Sequence, residues 1–266
     1  AEGDTVWMEE PGYLGARSAF LGAGARLHPM HVTRDCWQVP GPTLPPAKLA
    51  KLMSISPQLA EKTHGYFAGW KAKYDAAGAK EAIFAFRGDV YLGLEAWTLS
   101  EADLAFAQDH LRILSGLYGV LRPLDLIQPY RLEMSIKLAG DYGKDLYAHW
   151  GDTIAQTLTK EAKRHDDSTI VNLASQEYFA VADSPALKPR VITPSFREKH
   201  NGKFTVISFF AKKARGMMAR HLIETHAESP AAIKTFRAGG YRFNADLSTD
   251  DEPAFTRDKP PAVGVA

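Results

Sequence analysis

An α+β fold of mixed α/β character is what this sequence predicts, and three observations carry the prediction. Strand-like and helix-like segments follow one another in no strict alternation, so a regular βαβ array is not expected. Asn201-Gly202, set between two β-rich runs, is the strongest short-range hairpin signal in the chain. No internal repeat is present. The totals set the frame: 266 residues suffice for one large domain or two small ones with a substantial core. An apolar share of 45% and a charged share of 24% are ordinary for a globular protein. The formal net charge is +1, so any polyanion site has to be a local basic patch rather than a global field. A single cysteine, Cys36, excludes an internal disulfide and predicts a reducing compartment. No apolar run is long enough to span a bilayer and no secretory pattern is found, so the expected location is the cytoplasm, with no membrane partner.

In chain order, Val6–Met8 reads as a short strand, Pro11-Gly12-Tyr13 as a turn and Ala16–Ala23 as a short helix stopped by Gly24. Residues 37–46 hold four prolines and one glycine and read as a linker or extended segment. "AKLAKLM" (47–53) reads as a helix, "SISP" as a turn, and "PQLAEKTHGYFAGW" as a second helix with Pro57 at its first position. "AIFAFRGDVYLGL" (82–94) reads as a strand, a turn at Gly88-Asp89, and a second strand or a helix start. Ser100 and Asp103 resemble a capping box, opening a helix that buries Leu104, Ala107, Leu111 and Leu114. Residues 143–165 form one amphipathic helix with Leu146, Trp150, Ile154 and Leu158 on a face, and 168–174 a buried strand. "RVITPSF" and "KFTVISFFA" are the hairpin strands, followed by a helix over 212–226. Ser229-Pro230 starts a short helix stopped by Gly239-Gly240, and "YRFN" (241–244) is a last strand. From Ala245 the chain turns acidic, then proline-rich, and is expected to be loose.

One stretch stands out: "LSGLYGVLRPLDLIQPYRLEM" (114–134) sets Arg122, Asp125, Arg131 and Glu133 among apolar side chains. Such charges must be paired or solvated in a cleft, because an unpaired buried charge is costly. Pro123 and Pro129 hold the residues before them extended, and Gly116 and Gly119 permit tight turns, so the segment is a stiff, irregular loop. Two readings follow. Either an Arg–carboxylate network locks the loop, or a pocket presents Arg122 and Arg131 to an anion such as phosphate.

At these residues the chain resembles the YaaA family of bacterial peroxide stress proteins. "FAQDHLRILSGLYGVLRPLDLIQPYRLEMSIKL", "GKDLYAHWGD", "VNLASQEYF", "NGKFTVISFFAKKARGMMARHLIE" and "GYRF" follow the family's pattern in order, over about residues 44–257. The resemblance implies a single domain with a central mixed sheet surrounded by helices, flanked by an atypical segment over 1–43 and a loose tail over 258–266. It implies protection of DNA under hydrogen peroxide, partly by lowering available iron. It also implies binding of duplex and branched DNA through a helix-hairpin-helix-like element and a basic groove. The candidate element is 47–67, where Ser54-Ile55-Ser56-Pro57 replaces the usual Gly-apolar-Gly hairpin. The family's opening core strand and Ser-Pro-Ala-Lys-Thr motif are absent. Residues 6–29 instead resemble a fragment of pyridoxal-phosphate aminotransferases fused to GntR-type regulators. They lack the Schiff-base lysine and pyridinium-pairing aspartate, so no cofactor is inferred.

The basic run "AKKARGMMAR" supplies the phosphate contacts expected for DNA: Lys212, Lys213, Arg215 and Arg220, joined by Arg122 and Arg131. The bland alternative is a solvated basic helix face. Asp125, Tyr130, Glu133, Asn172 and Ser175 are candidate cleft residues, with Ser175 alternatively a strand-to-helix cap. No metal centre is expected: the histidines are scattered, and His28 and His31, the one close pair, read as a surface turn. No Gly-rich phosphate loop or nucleophile elbow occurs. A non-enzymatic DNA-binding protein is the first reading. An enzyme acting on a phosphorylated or nucleotide-like ligand, with a small anion at Arg122, Asp125, Arg131 and Glu133, is the alternative.

Overall fold

A computed structural model of the chain describes residues 5–7, 26–28, 44–71, 78–137, 143–200 and 202–258. Helices run over Pro46–Met53 (α1), Pro57–Ala68 (α2), Ala82–Ala85 (α3), Asp89–Leu94 (α4), Glu101–His110 (α5), Leu146–Trp150 (α6), Thr153–Ala162 (α7), Gln176–Phe179 (α8) and Ser208–Glu224 (α9). Strands are Thr5–Trp7 (β1), Arg26–His28 (β2), Lys80–Glu81 (β3), Ile113–Ser115 (β4), Gly119–Leu121 (β5), Leu126–Ile127 (β6), Ile170–Val171 (β7), Val191–Ile192 (β8), Ser195–His200 (β9), Lys203–Thr205 (β10), Arg242–Asn244 (β11) and Ala254–Arg257 (β12). The mixed α+β class is as predicted. β1 pairs parallel with β2, Val6 opposite Leu27. The turn, helix and linker expected between Met8 and Thr43, and the tail beyond Asp258, lie outside the described residues. The described residues fall into two compact units, one drawn from Ala1–Ala85 and Gln108–Ile154, the other from Phe86–Ala107 and Ala155–Ala266.

In the first unit, α1 and α2 are the predicted helix pair. Pro57 opens α2, and the Ser56 hydroxyl accepts the Leu59 N–H at 3.2 Å. Ser54 ends α1 in the left-handed region, φ 52° and ψ 46°, so a serine occupies a conformation that favours glycine. Next, β3 pairs antiparallel with β6. The Ala82 and Ile83 amides extend that pairing to the Asp125 and Pro123 carbonyls at 2.8 and 2.9 Å. The strand expected from Ala82 is therefore only Lys80–Glu81, and Ala82–Ala85 coils into α3. A short apolar run does not by itself separate strand from helix.

Helix α5 stops at His110, so Leu114 lies in β4 instead of on the helix face assigned to it. The Arg112 guanidinium donates to the Gln108 and Leu111 carbonyls at 3.2 and 2.7 Å, satisfying acceptors the helix end leaves open. β4 and β5 then form a tight hairpin, Ser115 opposite Gly119. Residues 143–165 are two helices rather than one, because Gly151 takes φ 46° and ψ −126° between α6 and α7. Leu146, Trp150, Ile154 and Leu158 are all buried, as the periodicity required.

In the second unit a mixed four-stranded sheet has the order β10-β9-β12-β11, with β9 and β12 parallel and both outer pairs antiparallel. The predicted hairpin joins β9 to β10, with His200 opposite Lys203 and Gly202 at φ 77°. Asn201 lies outside the described residues. The second hairpin strand is shorter than expected, and α9 begins at Ser208, ahead of the predicted Lys212. The earlier start turns Ala211 and Ala214 onto the sheet, where they pack with Met218, Phe196, Ile233, Phe236, Tyr241 and Phe255. The region after Ala245 is not loose: β12 is an inner strand and Phe255 is fully buried. The acidic stretch before it is a turn, closed by Ser248 Oγ accepting the Ala254 N–H at 2.8 Å. The buried strand expected over 168–174 is reduced to β7, half-buried and parallel to β8.

Helices α4 and α9 cross with their backbones touching. A Cβ on Gly216 would lie 1.8 Å from the Val90 carbonyl oxygen, and one on Gly93 would lie 2.1 Å from that of Lys213. Only glycine fits at either place. The predicted capping box of α5 is formed: the Asp103 N–H reaches Ser100 Oγ at 3.2 Å and the Ser100 N–H reaches Asp103 Oδ2 at 3.1 Å. The Ser100 hydroxyl, at 2.6 Å, holds the Asp103 carboxyl below its ordinary range. A carboxyl whose folded pKa is depressed contributes stability above its unfolded value of about 3.9, and the contribution is lost as pH falls through the folded value. Asp103→Asn is thus expected to lower the urea midpoint at neutral pH, with the two proteins' midpoints converging through a falling pH series.

Candidate functional site

The first unit holds Arg122, Asp125, Tyr130, Arg131 and Glu133, and local chemistry engages most of them. Asp125 Oδ2 accepts the Arg122 backbone N–H at 2.6 Å, and the Asp125 N–H returns to the Arg122 carbonyl at 3.2 Å. This closes a turn around Pro123. Beyond it, burial alternates from Arg131 to Ile136: Leu132, Met134 and Ile136 are inside while Arg131 and Glu133 share the opposite side. Arg131 forms an ion pair with Glu133, the two side chains 39% and 31% exposed. At that exposure the pair contributes little to stability. Arg131 Nε and Glu133 Oε2 are nevertheless buried atoms without a hydrogen-bond partner.

Tyr130 belongs to a hydroxyl network that the spacing of the segment does not announce. Its hydroxyl lies 2.8 Å from Ser115 Oγ, which also accepts the Leu117 and Tyr118 N–H groups at 3.2 and 2.8 Å. The Tyr118 ring meets Tyr130 edge-on at 5.4 Å, and its oxygen accepts the Gln128 N–H at 3.2 Å. The Gln128 amide clasps the Lys71 backbone with bonds of 2.9 and 2.7 Å. Gly119, at φ 73°, leaves room for the Trp150 ring, whose indole N–H donates to the Gly116 carbonyl at 3.1 Å. The apolar and glycine-rich character of 114–134 is therefore mostly a bracing of the hairpin and the extended strand after it. The stiff, irregular segment is as expected, with short strands at Gly119–Leu121 and Leu126–Ile127.

The second unit holds Asn172, Ser175 and the basic residues of α9. Ser175 Oγ accepts the Tyr178 N–H at 3.3 Å and caps α8. Asn172 is buried, accepting the Ala174 N–H at 3.0 Å and donating to Thr193 Oγ1 at 3.3 Å. Both residues set the end of β7. On α9 the four basic residues divide. The Arg220 guanidinium donates to the Leu94 and Glu95 carbonyls at 3.2 and 3.1 Å and to Thr98 Oγ1 at 2.6 Å, and pairs with Glu224 at 2.7 Å. It thereby satisfies the C-terminal carbonyls of α4. Lys212 and Lys213 are exposed and Arg215 half-buried, and none of the three has an ion-pair partner among the described residues. Burial pulls the Arg215 guanidinium below its usual pKa. An arginine held partly out of water without a counter-charge is a standing invitation to an anion.

A buried ionic group was missed in the sequence. Glu198, 1% exposed, accepts from Arg257 Nε and from the Tyr241 hydroxyl, and Arg257, 6% exposed, donates a further bond to the Gly239 carbonyl at 2.9 Å. The guanidinium lies over the Tyr241 ring at 4.4 Å and the Phe210 ring at 4.9 Å. Burial, then the bond to Glu198, push the Tyr241 phenol above its ordinary pKa, so it stays a donor. The signal was present: period two in "SFREKH" places Glu198 on the same side as the core residue Phe196.

Among the described residues no helix is long and apolar enough to cross a membrane. A family model described as "Peroxide stress protein YaaA" matches residues 42–247. The match draws on segments of both compact units and ends before β12. Residues 6–29 fall outside it, and their resemblance to an aminotransferase is not borne out. With the matched span covering most of the 266 residues and running through the bracing hairpin, the α9 run and strands β9 to β11 of the four-stranded sheet, the chain belongs to the YaaA family of peroxide stress proteins.

Proposed function

We propose that the chain acts in the cytoplasm as a non-enzymatic protector of DNA, binding it without sequence preference and lowering available iron under peroxide stress. One observation carries the DNA part: Lys212, Lys213 and Arg215 crowd the N-terminal half of α9 with no opposing carboxylate among the described residues. In a chain of net charge +1 such a patch is a local concentration of positive charge. Side chains of this kind bind phosphates, give a steep salt dependence and read no sequence. Arg220 holds the end of α4 rather than touching DNA, and Arg122 and Arg131 belong to the first unit. The helix pair α1–α2 keeps its place as a candidate helix-hairpin-helix, with left-handed Ser54 at the position of the missing glycine.

The test is fluorescence anisotropy of labelled duplex and four-way-junction DNA over a salt series. Lys212→Glu, Lys213→Glu and Arg215→Glu combined are expected to abolish tight binding while circular dichroism shows an intact fold. Alanine at any one of these three positions is expected to lower the slope of log K against log salt by about 0.9. Unchanged affinity in the Glu variant overturns the reading. It moves the function to the second one, a small anionic ligand in the first unit, for which Arg131 Nε is a buried donor without a hydrogen-bond partner. The iron effect is checked separately, by measuring chelatable iron in cells with and without the chain.

A further inference from the structure

Every third residue along the start of α9 forms one row: Phe209, Lys212, Arg215. Residues three apart on a helix are surface neighbours. Phe209 is 53% exposed, although it begins a helix whose other aromatic residue, Phe210, is turned inward. Val206, just before the helix, is 57% exposed. An aromatic ring left in water at the end of a basic row is unusual for a helix that buries Ala211, Ala214 and Met218 on its opposite side. The ring is also held in place. Phe209 meets Phe210 edge-on at 5.5 Å, and Phe210 is itself backed by the Arg257 guanidinium that Glu198 anchors.

We propose that Phe209 is a base-stacking platform, followed along its row by Lys212 and Arg215 as phosphate-binding groups, so that this end of α9 takes DNA with unpaired bases in preference to closed duplex. The inference rests on the DNA-binding reading above and names its substrate class. In a closed duplex each base face is already covered by its neighbours, so Phe209 gains nothing there and the cations alone act. In single-stranded or gapped DNA a base face is open, and stacking on an exposed ring is favourable whatever the base. The cations beside it argue for a polyanion over a protein partner, because lysine is depleted at protein–protein interfaces. A held ring also loses little side-chain freedom on binding, which keeps the stacking favourable.

The experiment compares labelled oligothymidylate with a blunt duplex of equal length, using the full chain and its Phe209→Ala and Phe209→Trp variants. Phe209→Ala is expected to weaken single-strand binding about tenfold and leave duplex binding unchanged. Phe209→Trp is expected to restore single-strand affinity, with its indole fluorescence quenched on binding. Equal loss on both DNAs, or no loss on either, overturns the stacking platform. Failure of the unmodified chain to bind either DNA overturns the DNA-binding reading itself, and the platform with it.

Discussion

Gly216→Ala is expected to be the most damaging small substitution in the chain, lowering stability by about 3 kcal/mol and the Tm by roughly 6–12 °C. The added methyl would sit 1.8 Å from the Val90 carbonyl oxygen and 2.7 Å from the Leu94 amide nitrogen. Both obstacles are backbone, so no rotamer change relieves them. The two helices must part, and the cost spreads: Arg220 reaches the Leu94 and Glu95 carbonyls from α9, and separation strains those bonds too. Gly65 provides the control. It lies inside α2, and a methyl added there would meet nothing within 4 Å, so Gly65→Ala is expected to stabilise by about 0.5–1 kcal/mol. Thermal melts of the two variants side by side should move in opposite directions. A Gly216→Ala melt within error of the parent would mean that α4 and α9 do not approach as closely as the backbone geometry requires.

Glu198→Leu is expected to cost about 3–5 kcal/mol, because it leaves the Arg257 guanidinium buried without its carboxylate. The Tyr241 hydroxyl loses its acceptor in the same step. The informative comparison is with company. Glu198→Leu, Arg257→Met and Tyr241→Phe together remove every polar group of the trio and replace them with apolar volume. Replacement of a whole buried ion pair by well-packed apolar groups is close to neutral in stability, whereas halving it is not. The triple variant is therefore expected to be more stable than Glu198→Leu alone. Urea unfolding of the three single variants and the triple reads this directly. Additive losses would show that the trio does not act as a unit.

The sequence was most informative where one local cause dominates. Pro57, the Ser100–Asp103 box and the hairpin turn at Gly202 each declare their structure within a few residues, and each is found, while Leu146, Trp150, Ile154 and Leu158 are buried as their spacing requires. Misreadings arose where a distant partner decides. Nothing near Ala254 says that this segment enters a sheet beside Ser195. Leu114 continues a helical spacing, yet it pairs with Val120 across the β4–β5 hairpin. The candidate site divides in the same way. A basic run is visible as composition, so Lys212, Lys213 and Arg215 were legible. That Arg220 serves α4 is a matter of tertiary packing across more than a hundred positions. Glu198 and Arg257 are 59 positions apart, and only their shared burial reveals them as a pair.

That same separation sets a clock on biosynthesis. β9 leaves the ribosome 59 residues ahead of Arg257, an interval of roughly 3–12 s at ordinary elongation rates of about 5–20 residues per second. Throughout it, Phe196 has no Phe255 beside it, Glu198 has no counter-charge, and one long edge of β9 is an open template for another strand. α9 emerges within the interval and can cover the face of the sheet but not its edge. The nascent chain is thus vulnerable to aggregation during this interval, and translational slowing between Lys199 and Arg257 lengthens that exposure, whereas slowing before Ser195 does not.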